Sequence, residues 1–199
     1  MKFAPLLGAS IGLAGAAVYW LSVQVWPTSV AVILAMAATT MATHVARRAA
    51  EPASLLLNHI DLSVQILYLL IKYNALMALS AAKLPFVAPA EAALGLIMIC
   101  GYAASEALVV SMVNVNPGDA SVKLTNTDLG LTLLAGFAPA VVLGIPGLTG
   151  LVAAILICLG VTAYLKISGN SRTILPPTIT QQLTEVAFYL GALATWSYV

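Results

Sequence analysis

The chain has 199 residues, 61% of them hydrophobic and only 8% charged, with a formal net charge of +1. An ordinary soluble domain is about a quarter charged, so a soluble fold of this composition could not cover its own surface with polar groups. The near-neutral charge gives no reason to expect a nucleic-acid partner. The two cysteines, Cys100 and Cys158, lie in apolar stretches, where they imply neither a disulfide nor a metal framework.

The distribution of charge points to a bilayer. No Asp, Glu, Lys or Arg occurs between Phe3 and Ala46 or between Leu129 and Leu165. A helix needs about 20 apolar residues to cross a membrane, so each run holds two spans. The first run, beginning behind Lys2, reads as a retained helix and not as a cleaved secretory signal, because it is long enough to span and is followed at once by another. Trp26-Pro27 divides it, since proline cannot continue a helix interior and tryptophan favours the interface. Spans are predicted at 4–24 and 28–46, followed by a polar connection opened by Arg47, Arg48 and Glu51.

A third helix is predicted at 62–81, ended by Lys83-Leu84-Pro85, and a fourth at 90–113. The segment from Asn114 to Asp128 contains Asn-Pro-Gly-Asp and reads as a loop. Gly144-Ile145-Pro146-Gly147 splits the second uncharged run into spans at 129–143 and 148–166, and a polar loop from Ile167 to Pro177 precedes the last span at 178–198. The expected fold is therefore a single all-α domain, a polytopic transmembrane bundle of about seven spans.

With the N-terminus inside, Lys2, Arg47, Arg48, Lys123, Lys166 and Arg172 all fall on the cytoplasmic side, against Lys83 alone outside. That bias predicts a multi-pass protein of the cytoplasmic membrane with its N-terminus cytoplasmic and its C-terminus external. It also places the long polar connections on one face.

Ionisable groups inside a span cost roughly 2.5–3.5 kcal/mol on insertion scales, so each marks a candidate site. Asn58, Asp61, Gln65, Tyr68 and Lys72 are spaced three, four, three and four apart and share one helical stripe. Glu106 lies deep in the fourth span. Glu185 lies about two turns into the seventh, with Thr178, Gln182 and Tyr189 on its face. The candidate buried polar cluster is Asp61, Gln65, Lys72, Glu106, Gln182 and Glu185, in which Lys72 pairs with Glu106 or Glu185. Such a pair serves either as a helix-packing clamp or as a site for a carboxylate, a phosphate or a proton. Arg47 and Arg48 are candidates for contact with an anion such as a lipid headgroup. His44 and His59 flank the first cytoplasmic loop without a full ligand set and read as interfacial histidines. Gly8-Ala9-Ser10-Ile11-Gly12 is a small-xxx-small motif that lets helices approach closely. No GxSxG, Walker loop or HExxH is present.

The order of these features resembles cobalamin synthase, the family of polytopic adenosylcobinamide-GDP ribazoletransferases. Phe3-Ala4-Pro5-Leu6-Leu7-Gly8 is similar to that family's FPxxG opening, and Ala37-Thr39-Thr40-Thr43-His44 sits where its second span ends in a histidine. Ile66 to Lys72 is similar to its third span, and Gln182-Leu183-Thr184-Glu185 to its last, with Gln182 replacing the first of two glutamates. Pro146-Gly147 and the loop from Ser168 to Thr173 also fall where that family has them.

The departures concern chemistry. The family's histidine opens HLDGLADTxDG, an acidic loop implied to hold a divalent metal on the substrate phosphates. Here the stretch runs His44-Val45-Ala46-Arg47-Arg48-Ala49-Ala50-Glu51-Pro52-Ala53, with alanine at each expected aspartate. The later DSxxGxxG is missing, with Asn58, His59 and Asp61 near its place. The family's GGxTGD is Gly169-Asn170-Ser171-Arg172-Thr173-Ile174. Transfer between a nucleotide diphosphate and a ribazole phosphate needs hard divalent cations and carboxylate oxygens to hold them, and two arginines reverse the local field. The expectation is a relative that keeps the scaffold without the chemistry: a non-catalytic accessory or structural subunit, with no catalytic residue, no metal site and no cofactor, whose partners are the bilayer and other membrane-protein subunits. The alternatives are a divergent ribazoletransferase using magnesium with Asp61, Glu106 and Glu185, and a small transporter with Lys72, Glu106 and Glu185 along its path.

Overall fold

A computed structural model of the protein describes residues 4–50, 62–81, 90–115, 124–167 and 177–196. Among these residues the chain forms seven helices and no strand: α1 (Ala4–Ser22), α2 (Thr28–Ala50), α3 (Leu62–Ala81), α4 (Ala90–Val115), α5 (Asn126–Val142), α6 (Ile145–Ile167) and α7 (Pro177–Trp196). The all-α class expected from the sequence is the observed one. Four helices are long and apolar enough to cross a membrane, over Pro5–Ser22, Thr28–Ala46, Ala93–Asn114 and Ile145–Tyr164. The apolar stretches of α3 and α5, Gln65–Ala81 and Asn126–Val142, are shorter.

Local chemistry explains the ends. After α1, the amides of Val23 and Trp26 donate to the carbonyls of Tyr19 and Ser22, and Pro27 then stands directly before α2. The second helix runs to Ala50, so Arg47 and Arg48 belong to its last turn and do not open a loop. Alanine and arginine are strong helix formers, and cations are favoured at a helix C-terminus.

The fifth helix begins three residues earlier than its apolar pattern. Thr125 is its N-cap: the Asp128 amide donates to Thr125 Oγ1 at 3.3 Å, and that hydroxyl donates to the Asp128 carboxylate at 2.7 Å. Between α5 and α6 the chain turns on Leu143 and Gly144 alone. Gly144 takes φ +68°, a left-handed conformation open to glycine without cost, and Pro146 falls in the first turn of α6, where its missing amide is tolerated.

The fourth helix is the axis of the bundle. It packs against α1, α3, α5, α6 and α7, and from Ala93 to Val110 its side chains are buried or nearly so. The Gly8/Gly12 motif of α1 makes one of the close contacts: a Cβ on Gly12 would stand 2.7 Å from Ile99 Cα. Leu94, Ile97, Met98, Ala104 and Leu108 of α4 join Tyr19, Ala35, Leu76, Ala154 and Phe188 in one continuous core. The outer faces are apolar too, with Leu13, Ile33, Leu70, Leu134, Val152 and Leu156 exposed, as lipid requires and water does not.

Candidate functional site

Among the described residues, polar side chains gather in the core where α2, α3, α4 and α7 meet. Each contributes a side chain from near the middle of its length: Thr39, Lys72, Tyr102 and Glu185. Lys72 Nζ lies 2.6 Å from Glu185 Oε1, and the two side chains are only 1% and 2% exposed. Two ions out of water are tolerated when they are paired and when hydrogen bonds satisfy their remaining donors and acceptors.

The surrounding hydroxyls supply most of those bonds. Tyr68, one turn before Lys72 on α3, donates to Glu185 Oε2 at 2.8 Å, and Tyr189, one turn after Glu185 on α7, donates to Oε1 at 2.8 Å. Both carboxylate oxygens are thereby engaged. On the other side the Lys72 ammonium donates to the Tyr102 hydroxyl at 2.7 Å, with Thr39 of α2 beside it, its own hydroxyl donating to the Met36 carbonyl at 3.0 Å. The ammonium also stands 4.6 Å from the Tyr102 ring centroid and 5.8 Å from that of Tyr68, within the range of a cation–π attraction. Gly101 makes room for this arrangement, since a Cβ there would meet Tyr189 Cε1 at 2.6 Å.

Helical periodicity delivers these groups. Tyr68 and Lys72, like Glu185 and Tyr189, are four residues apart and share one helix face. On α7 that face continues N-terminally through Gln181, which is buried, whereas Gln182 is half-buried. A residue four before Glu185 lies about 40° from it around the helix and one three before lies about 60° away, so the glutamine more nearly in line is the one drawn inside. Thr184 returns its hydroxyl to the Thr180 and Gln181 carbonyls.

The other residues singled out in the sequence lie elsewhere. Glu106 is buried one turn beyond Tyr102 on α4, against the gap left by Gly8 of α1. Gln65 is half-buried on α3, and Asn58, His59 and Asp61 lie outside the described residues. His44 is exposed on α2, while Arg47 and Arg48 occupy the final turn of that helix. Thr39 and Tyr102 join the cluster without belonging to either polar stripe of the sequence. The signal for Tyr102 is its place: a tyrosine in the middle of an apolar helix needs a partner for its hydroxyl.

Chemically the cluster is a buried ion pair whose carboxylate is engaged at both oxygens by Lys72, Tyr68 and Tyr189, an arrangement suited to holding helices in register. Among the described residues no group of three or more His, Cys, Asp or Glu side chains is placed to hold a metal ion. Compared with family models, with curated proteins and with solved structures, the chain matches none of them.

Proposed function

We propose that the chain is a non-catalytic membrane scaffold, an accessory subunit that crosses the cytoplasmic membrane seven times and packs against other membrane proteins through its spans. Its N-terminus is cytoplasmic and its C-terminus external, a reading supported by the six-to-one bias of basic residues at the helix ends and in the connections. Its layout is that of a relative of the cobalamin synthases whose first-loop aspartates are replaced by Ala46, Ala50 and Ala53. Without those carboxylates the loop has no ligand set for the divalent ions that phosphoryl chemistry requires.

The observation that carries the reading is the engagement of both Glu185 carboxylate oxygens beside Lys72. Glu185 accepts from Lys72, Tyr68 and Tyr189 and is sealed from solvent, so its carboxylate is committed to holding helices together. A proton carrier or a ligand-binding acid would need an open coordination position or a path to water, and the clamp needs neither.

Purification of the native protein from its membranes, with identification of what co-elutes, tests this. A stable assembly with other membrane-protein subunits is expected. Purified chain that transfers ribazole phosphate onto adenosylcobinamide-GDP above a no-protein control, or that elutes alone with bound corrinoid, would overturn it.

A further inference from the structure

The outer face of α3 carries a pattern that the clamp does not use. Leu67, Ile71, Asn74, Ala78 and Ala81 are all exposed and recur at intervals of four, three, four and three. That is the heptad seam of a two-stranded coiled coil, running along the face opposite the buried Lys72, Ala75, Leu76 and Leu79. Four of the five are apolar, and the two alanines beyond Asn74 are small enough to let a second helix come close. The fifth, Asn74, lies only two residues beyond Lys72, hence about 3 Å further along the axis and close to the level of the buried ion pair.

A carboxamide at that depth on a lipid-facing surface stands out. In the middle stretches of the other described helices the exposed side chains are apolar, apart from Ser10, whose hydroxyl is bonded to the Leu7 carbonyl at 2.7 Å. Asn74 makes one hydrogen bond, from Nδ2 to the Leu70 carbonyl at 2.8 Å, which leaves its second N–H and its oxygen turned to the exterior. In hydrocarbon such groups are costly unless another helix satisfies them, and Asn is among the residues that bind transmembrane helices together.

We propose that the α3 seam is a homodimer interface, in which Asn74 of one copy pairs with Asn74 of a second. Two considerations select a second copy of this chain. All copies in one membrane share an orientation, so a two-fold interface between them has its axis along the membrane normal, and the helix on that axis meets itself in parallel at equal depth. A carboxamide carries both donors and acceptors and is therefore self-complementary across such an axis. An Asn on a heptad seam is also the device by which parallel two-stranded pairs fix their register.

The proposal rests on α3 crossing the bilayer, as the seven-span reading has it, and the test separates the two. Single cysteines are placed at Ile71 and Ala78, the seam positions that flank Asn74, and at Leu156 on the outer face of α6, in a chain with Cys100 and Cys158 changed to alanine. Native membranes are treated with an impermeant maleimide or with a membrane-permeant oxidant. Protection of positions 71 and 78 from the maleimide on both sides is expected, and labelling there would remove α3 from the bilayer and the proposal with it. With those positions protected, disulfide-linked dimers of this chain are expected at 71 and 78 and not at 156. Energy transfer between labelled copies in lipid vesicles should show Asn74→Leu weakening the dimer about three- to tenfold, with Asn74→Gln close to the parent. Protection without cross-linking, cross-linking to a different protein, or an Asn74→Leu chain that dimerises like the parent would each overturn the interface while leaving the seven-span reading in place.

Discussion

Glu185 on α7 and Lys72 on α3 meet at 2.6 Å near the middles of two helices that are more than a hundred residues apart in the chain. Their contact fixes the depth of one helix against the other, because sliding either by a turn would strand both charges in apolar surroundings. A buried pair is weak support for stability in itself, since a well-packed apolar pair is often as good, but half of one is strongly destabilising. Its use is therefore register.

A mutant cycle on the pair follows directly. Lys72→Met and Glu185→Gln should each cost roughly 3–5 kcal/mol, as each leaves its partner as an uncompensated buried ion. Combining the two substitutions should recover a large part of that loss. Thermal melts in detergent measure it; a double variant no more stable than the worse single would mean that the two residues are not coupled.

The tyrosines around Glu185 should differ in weight. Removing the Tyr68 hydroxyl strips Oε2 of its donor, whereas Oε1 keeps Lys72 when Tyr189 loses its own. Tyr68→Phe should then cost about 1.5–3 kcal/mol, the range for hydrogen bonds to charged groups, and Tyr189→Phe less, even though Tyr189 is the more deeply buried. The same melts rank them, and a larger loss for Tyr189→Phe would show burial outweighing the bond count.

How far the sequence anticipates this site depends on the residue. Lys72, Glu185 and Tyr68 are legible because an ionisable group in an apolar run, and a stripe at three and four spacing, are one-dimensional signals. The choice between Glu185 and Glu106 as partner for Lys72 is not, since both acids occupy apolar helices that α3 packs against, and the choice is made by which of them faces α3: Glu106 lies against Gly8 of α1. Tyr102 and Thr39 escape for a related reason: hydroxyls are common in membrane helices, and only the packing of α3 against α2 and α4 brings these two to the ion pair. The helix count is read correctly, while helix ends move where capping decides them, as with Thr125 and Asp128 at the start of α5.

The close approach of α1 to α4 gives a packing test away from the ion pair. A Cβ at Gly12 would fall 2.7 Å from Ile99 Cα and 3.1 Å from the Met98 carbonyl oxygen, backbone atoms that cannot rotate aside. Gly12→Ala should therefore cost about 1–3 kcal/mol through overpacking. Gly160, in the interior of α6, has nothing within 4 Å of its added carbon, so Gly160→Ala should be neutral or stabilise by up to about 1 kcal/mol through helix propensity. Equal melts for the two variants would mean that α1 and α4 do not pack through the Gly8/Gly12 face.

The orientation of the bundle can be decided at two exposed positions. If all seven helices span and the N-terminus is cytoplasmic, Gln24, in the turn between α1 and α2, lies outside, and Thr127, in the first turn of α5, lies inside. The prediction rests on the position of arginine and lysine at the helix ends and in the connections, a bias that acts when short loops are translocated and not afterwards. The two native cysteines are buried and give little background. In intact cells an impermeant maleimide should label Gln24→Cys and spare Thr127→Cys until the membrane is opened. Labelling in the reverse order would invert the topology and turn the long polar connections outward. Labelling at both positions in intact cells would mean that α2, α3 and α4 do not make an odd number of crossings between them, which removes the seven-span arrangement itself.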